Sequence, residues 1–210
     1  MRTLLVTGFE PFGGETVNAS WEAASALDGW RSGDLVASAL MLPVAYDACV
    51  AKFKEAFRRL KPDAVLLTGQ AARRAAVSVE RHAHNRASAA LADNCGVVRG
   101  GFSSPLVGRG GREGESPASV ETTANVAAIA RTIRAAGIPA RVSTDAGDYV
   151  CNHLYYGALK HIVGASPATL AVFLHLPATP EQTPWRANPR RLATKDAVRA
   201  LRAAATALIA

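Results

Sequence analysis

Short apolar runs with no polar face alternate along this chain with segments whose apolar residues recur at helical spacing. That alternation restricts the fold more than any other feature. Leu4 to Thr7 and Ala64-Val-Leu-Leu-Thr-Gly69 read as strands buried on both sides, because a strand with one wet face would alternate apolar and polar residues. Leu35 to Val44, Ala76 to His82, Ala140 to Ser143 and Thr169 to Leu176 read as further strands. A first helix is expected from a cap at Asn18 or Ser20 through Leu27. Tyr46 to Leu60 carries Cys49, Val50, Phe53 and Phe57 on one stripe and reads as a second. Val120 to Ala136, stopped by Gly137, reads as a third, Val150 to Val163 as a fourth, and Thr194 or Asp196 opens a last one to Leu208. Strands alternating with helices predict an α/β fold with a mostly parallel sheet covered on both faces. Sites in such sheets lie beyond the carboxyl ends of the strands. Gly8, Gly69, Ser143 and His175 all fall at predicted strand ends, so the motifs are expected to converge on one edge.

The 210 residues suit one large domain, and 49% hydrophobic content is enough for a substantial core. No apolar run approaches the roughly 20 residues that span a bilayer. The opening Met1-Arg-Thr-Leu-Leu-Val-Thr-Gly leads straight into a strand-like run, so no secretory leader is expected. The three cysteines, Cys49, Cys95 and Cys151, fit no disulfide framework and point to a reducing, cytoplasmic setting. No pair has zinc spacing, since Cys151 and His153 stand only two apart, so no metal is expected. The formal charge of +7 comes from arginines spread from Arg2 to Arg202, without an aromatic-interleaved patch. It supports non-specific contact with polyanions rather than specific nucleic-acid recognition. The Gly- and Pro-rich stretch from Asn94 to Pro117 reads as a long loop and a candidate lid.

The chemistry concentrates in Asp145-Ala-Gly-Asp-Tyr-Val-Cys-Asn-His-Leu-Tyr-Tyr-Gly157. A glycine-bearing turn delivers Cys151 to a helix start, where unpaired amides and the positive end of the macrodipole favour a thiolate. The competing reading is a plain buried thiol, which Cys49 on its apolar stripe exemplifies. His175, at the end of Ala168-Thr-Leu-Ala-Val-Phe-Leu-His-Leu-Pro177, is the candidate base; a structural imidazole bonded to a carbonyl is the alternative. His82, His84, His153 and His161 are weaker candidates, because none ends a strongly apolar strand. Glu80 lies within a strand pattern, where a carboxylate needs partners. An ion pair with Arg74, Arg81 or Arg86 and a hydrogen bond to His175 are both open.

Four motifs carry a resemblance. Thr7-Gly-Phe-Glu-Pro-Phe-Gly-Gly-Glu-Thr-Val-Asn-Ala-Ser-Trp21, Glu80-Arg81 with Asn85, Asp145 to Gly157, and His175-Leu-Pro with Pro180-Glu-Gln182 resemble, in order, the signatures of the pyroglutamyl-peptidase I family of cysteine peptidases. The resemblance implies a single three-layer α/β/α domain over residues 1–210, with a mostly parallel twisted central sheet. It implies a catalytic Cys151–His175–Glu80 triad, and a pyroglutamyl-ring pocket of Phe9, Phe12, Tyr149 and Val150 with Asn18 and Gln70 near the lactam. It implies peptide substrates with an N-terminal pyroglutamate, no cofactor, and a cytoplasmic homo-oligomer, tetramer or dimer. Aromatic faces can sandwich a lactam ring, although aromatics beside a glycine-rich turn also serve as core.

The chain departs from that family's pattern in four places. Ala72-Arg73 stands where the family has glycines, and Ser88 to Asp93 lacks an arginine that the family has near its active site, a position that Arg81 or Arg86 could fill. Asp148 replaces a threonine, and its charge is expected to raise the Cys151 pKa. The loop from Gly96 to Gly114 is unlike the family's. A different thiol amidase on the same scaffold, or a weakly active relative that binds capped peptides or polyanions, are the alternative functions.

Overall fold

A computed structural model describes residues 1–100, 117–180, 182 and 191–210. Its elements run β1 (Arg2–Phe9), α1 (Ala19–Ser25), β2 (Arg31–Ser32), β3 (Leu35–Leu42), α2 (Tyr46–Leu60), β4 (Ala64–Gln70), β5 (Val77–Glu80), β6 (His82–His84), β7 (Ser119–Glu121), α3 (Val126–Ala135), β8 (Ala140–Ser143), α4 (Val150–Ala165), β9 (Leu170–Leu176) and α5 (Thr194–Leu208). Among the described residues, seven strands form one sheet in the order β2-β3-β1-β4-β9-β5-β8, and β6 pairs with β7 apart from it. β3, β1, β4 and β9 run parallel to one another. β5 and β8 are parallel to each other but run against β9, and β2 runs against β3.

The apolar runs explain the layers. Every residue of β4 is buried, as expected of a central strand with helices on both faces. Leu4, Val6, Leu66, Val172 and Leu174 point to the side packed by α1, α3 and α5. Leu5, Val65, Leu67, Ala171 and Phe173 point to the side packed by α2 and α4. The α2 stripe of Tyr46, Cys49, Val50, Phe53 and Phe57 is buried, and the helix ends at Lys61, which adopts a left-handed conformation (φ 45°) before Pro62. At roughly 1.5–3 kcal/mol for each large apolar side chain removed from water, these two layers dominate the favourable side of folding. No helix among the described residues is long and apolar enough to cross a membrane.

Three sequence expectations change. The helix foreseen from Val120 begins at Val126, because Ser119–Glu121 pairs with His82–His84 and Asn125 caps the helix by accepting from the Ala128 amide at 3.0 Å. The strand foreseen from Ala76 to His82 breaks after Glu80, where the chain leaves the main sheet. The four strand ends do not share one edge. Gly8, Gly69 and His175 lie toward the carboxyl ends of parallel strands, whereas Ser143 ends a strand running the opposite way. That reversal sets Glu80 opposite Phe173, two residues back from His175.

Candidate active site

Cys151 is the second residue of α4, and Tyr149, at the N-cap, provides no side-chain cap. The first amides of the helix therefore have no partner within it. The turn into the helix depends on Gly147, at φ 85°, whose amide donates to Asp145 Oδ1 at 2.8 Å. The sulfur and the ring of Phe173 both crowd the space that a side chain at Gly69 would fill. Burial pushes the thiol up to about 12, with the Arg74 charge and its own amide opposing the rise and Glu80 adding to it. Desolvation thus works against the thiolate that the helix start favours. Asp148 does not cause the rise. Its carboxylate accepts from Ser88 Oγ at 3.1 Å, and its charge bears on the Tyr46 phenol. Cys49 is fully buried, with its thiol also pushed well up by burial, and Cys95 is exposed.

His175 on β9 is the register partner of Gly69 on β4. Its ring packs on Phe173, with centroids 4.8 Å apart. Imidazole and sulfur therefore occupy the same face of the sheet around one glycine. Nδ1 of His175 lies 2.8 Å from Oε1 of Glu80, a diagonal cross-strand pair made possible by β5 running against β9. Burial holds the imidazole below its ordinary pKa, while the Glu80 bond works against that shift. Glu80 is fully buried, and the same Oε1 also accepts from Nη1 of Arg74. The two partners left open by the sequence are thus both present, on one oxygen. Arg81 pairs with Glu121 at 3.3 Å and Arg86 with Asp145 at 2.5 Å, so Arg74 is the arginine that reaches this carboxylate.

Phe9, Phe12, Asn18, Gln70, Tyr149, Val150 and Cys151 line one cavity, together with Val44, two residues beyond the end of β3, for which the sequence suggested no site role. The cavity encloses about 260 Å³, open solvent included. Phe12 and Tyr149 face each other at 6.2 Å between centroids, and Tyr46 braces Tyr149 edge-on at 5.8 Å. Gln70 Oε1 accepts from the Ala19 amide at 2.8 Å and from Gln182 Nε2 at 2.9 Å, which leaves its NH₂ group as the donor end. Asn18 Oδ1 accepts from the Ser20 amide and hydroxyl at 3.0 and 2.7 Å, and Nδ2 donates to the Glu10 carbonyl at 2.9 Å. Both side-chain oxygens are thereby committed within the fold.

Two supporting groups had no role assigned from sequence. Gln182 accepts from the Thr179 amide at 2.8 Å while holding Gln70. The amide three residues after a threonine was the available signal. The second group is the clasp at 92–97. Asn94 donates to Glu10 Oε1 at 2.8 Å and to the Pro11 carbonyl at 2.9 Å, and its amide donates to the Val44 carbonyl at 2.8 Å. Buried Asp93 accepts from the amides of Tyr46, Cys95 and Val97, and Tyr149 donates to the Ala92 carbonyl at 2.8 Å. The clasp ties the turn carrying Phe9 and Phe12 to the segment carrying Val44. Most of the lid expected over Asn94 to Pro117 lies outside the described residues. Among the described residues, no group of three or more His, Cys, Asp or Glu is placed to hold a metal ion.

Comparison with known proteins gives concordant relatives. A family model described as pyroglutamyl peptidase matches residues 2–210. The chain is similar to the pyrrolidone-carboxylate peptidase of Cupriavidus necator, at 43% identity over 211 residues, covering 99% of this chain and 94% of that protein. It is similar to the Bacillus subtilis pyrrolidone-carboxylate peptidase at 37% identity over 204 residues, covering 97% and 91%. The crystal structure of Bacillus amyloliquefaciens pyroglutamyl peptidase I matches with a TM-score of 0.90 at 35% identity, covering 99% of this chain and 97% of that one. A mutant pyrrolidone carboxyl peptidase from the hyperthermophile Pyrococcus furiosus matches with a TM-score of 0.89 at 30% identity, covering 99% and 98%.

Proposed function

The chain belongs to the pyroglutamyl peptidase family of cysteine peptidases, and from that premise we propose that it hydrolyses the amide bond after an N-terminal pyroglutamyl residue of peptides. In this reading Cys151 is the nucleophile, His175 the base and then the acid, and Glu80 the partner that orients the imidazole. One observation carries it: Cys151 opens onto the same cavity as Phe9, Phe12 and Tyr149. Its aromatic and apolar walls, with the amide side chains of Asn18 and Gln70, suit a flat five-membered lactam.

The mechanism follows from the protonation states. Burial disfavours a charge on both the thiol and the imidazole. Glu80 accepts from Nδ1, so that nitrogen carries the proton and Nε2 keeps its lone pair. As the sulfur attacks the pyroglutamyl carbonyl, the thiol proton passes to Nε2. The imidazolium gives it to the departing amine, and the C–N bond breaks to leave a thioester. Water deprotonated by Nε2 then cleaves the thioester, releasing pyroglutamate and restoring the thiol. The backbone amides at the start of α4 are the candidate donors for the tetrahedral oxyanion.

Recognition follows from what the pocket side chains have left to offer. Gln70 presents NH₂ protons suited to the lactam carbonyl, and Asn18 has one Nδ2 proton beyond its Glu10 bond. With both side-chain oxygens committed, the lactam N–H requires a backbone carbonyl. Proline lacks the ring carbonyl and would leave the Gln70 donor unpaired, a defect on the order of 10⁴-fold in specificity. The test is release of a fluorophore from a pyroglutamyl amide and from the matching prolyl amide, with Cys151→Ser as control. Turnover of the first alone is expected; turnover of both or of neither defeats the reading. The proposal extends to one folding domain in a cytoplasmic homo-oligomer, checked by single-transition unfolding, cell fractionation and light scattering.

A further inference from the structure

We propose that Arg74 is a positioning residue for this reaction: its guanidinium, bonded to the Glu80 oxygen that also engages His175, holds the carboxylate–imidazole pair at the entry of the Cys151 helix. The inference rests on the peptidase reading and deepens it. Arg74 sits in the turn after β4, where its amide donates to the Ala71 carbonyl at 2.9 Å. Nη1 meets Glu80 Oε1 and approaches Ser143 Oγ at 3.4 Å, while Nη2 donates to the Asp145 carbonyl at 2.8 Å. One side chain therefore joins the β4 turn, the end of β5, the end of β8 and the turn that leads into α4. Oε2 of Glu80 is buried without a hydrogen-bond partner among the described residues, so Oε1 carries the compensation for burying this carboxylate. Two donors share it, and Arg74 is the charged one. A buried carboxylate left with a neutral imidazole alone is poorly compensated, and the imidazole loses its fixed acceptor.

Arg74 does not line the cavity, so its effect belongs in kcat rather than in KM. The charged and titratable groups that act on His175 are Glu80, Arg74 and Asp145, and those that act on Cys151 are Arg74 and Glu80. The Arg74 charge lowers both the thiol and the imidazole, so removing it moves both upward. Whichever group governs the acidic limb of the pH–rate profile, that limb moves to higher pH.

The experiment compares wild type with Arg74→Met, Arg74→Gln and Arg74→Lys. Two readouts are taken across pH: kcat and KM on a pyroglutamyl fluorophore amide, and the alkylation rate of Cys151 resolved by peptide mass spectrometry. The neutral variants are expected to lose roughly 10- to 100-fold in kcat, a share of what general acid–base catalysis supplies, with KM within about twofold. Their acidic limb and their alkylation profile shift to higher pH, and Arg74→Lys shifts less than either. Arg74→Gln, which can still donate to Asp145 and Glu80, decides the matter if Arg74→Met does not fold. A folded neutral variant with the wild-type limb and alkylation profile overturns the proposal, as does a lysine variant that shifts as far as the neutral ones. If wild type fails to turn over the amide, the functional reading fails, and the alkylation profiles still decide the role of Arg74.

Discussion

A β-carbon added to Gly69 would stand 2.7 Å from the sulfur of Cys151 and 2.8 Å from Cζ of Phe173. Both distances are shorter than carbon contacts allow, and Phe173 is wedged under His175 with no exposure of its own. Gly69→Ala is therefore expected to push the sulfur off its seat. Overpacking of this kind costs about 1–3 kcal/mol. A displacement of ~1 Å at the nucleophile costs on the order of 10² in rate. Thermal unfolding and turnover of a pyroglutamyl amide check the two effects separately. Wild-type turnover by a folded Gly69→Ala protein would mean that the sulfur is not held against this strand.

Gln182 works one step removed from the pocket. It donates to the Gln70 oxygen and so directs the Gln70 NH₂ away from the fold and toward the cavity. Gln182→Ala leaves that buried oxygen with the Ala19 amide alone and frees Gln70 to rotate. The expected result is a rise in KM of about tenfold, matching a hydrogen bond worth about 1–1.5 kcal/mol, with kcat within a few-fold of wild type. A fall in kcat at constant KM would place Gln182 on the chemical step instead.

Asp93 gathers the amides of Tyr46, Cys95 and Val97 on two buried oxygens. Asp93→Ala strands these donors and is expected to destabilise the protein by about 2–4 kcal/mol, since bonds to a charged acceptor are each worth ~1.5–3 kcal/mol and part of that returns through water. Asp93→Asn keeps one acceptor and is expected to lose about half as much. Urea unfolding of the two variants checks the order, and equal losses would mean that the one acceptor kept by asparagine recovers none of these bonds.

Much of this arrangement was legible because it is local. Tyr46 to Leu60 was readable to the residue, since its apolar stripe has only one period and Pro62 ends it. The Gly147 turn before Cys151 was readable because a positive φ calls for glycine. Val120 was misread because one apolar residue between polar ones suits the start of an amphipathic helix as well as a short strand. Its pairing with Ala83 depends on a segment far away in sequence. The choice among Arg74, Arg81 and Arg86 was unreadable for the same reason. All three are near Glu80 in sequence, and what separates them is tertiary: the β6–β7 pairing brings Glu121 beside Arg81, and Asp145 takes Arg86. The helix start at Cys151 is visible in sequence, whereas the desolvation that opposes it, set by strands distant in sequence, is not.

His153, two residues beyond the nucleophile, makes the acid stability of the fold predictable. Its ring is buried edge-on against Tyr46 at 5.3 Å, with Asp47 Oδ1 at 3.6 Å. Burial pushes its pKa down to about 4, the nearby Arg99 charge adds to the fall, and Asp47 opposes it. A basic group depressed in the folded state binds its proton more readily once unfolded. Its contribution is thus complete above the unfolded value of about 6.5 and is lost as pH falls toward 4. At ~1.4 kcal/mol per pKa unit, the loss from pH 7 to pH 4.5 is roughly 2.5 kcal/mol. His153→Phe keeps a ring against Tyr46 and removes the titration, so its unfolding free energy in urea is expected to fall by about 2.5 kcal/mol less than wild type over that interval. The imidazoles of half-buried His161 and buried His175 are also depressed and contribute equally to both proteins, so they cancel in the comparison. Parallel losses in the two proteins would mean that His153 takes up its proton in the folded state at an ordinary pH, and that its burial beside Tyr46 carries no electrostatic penalty.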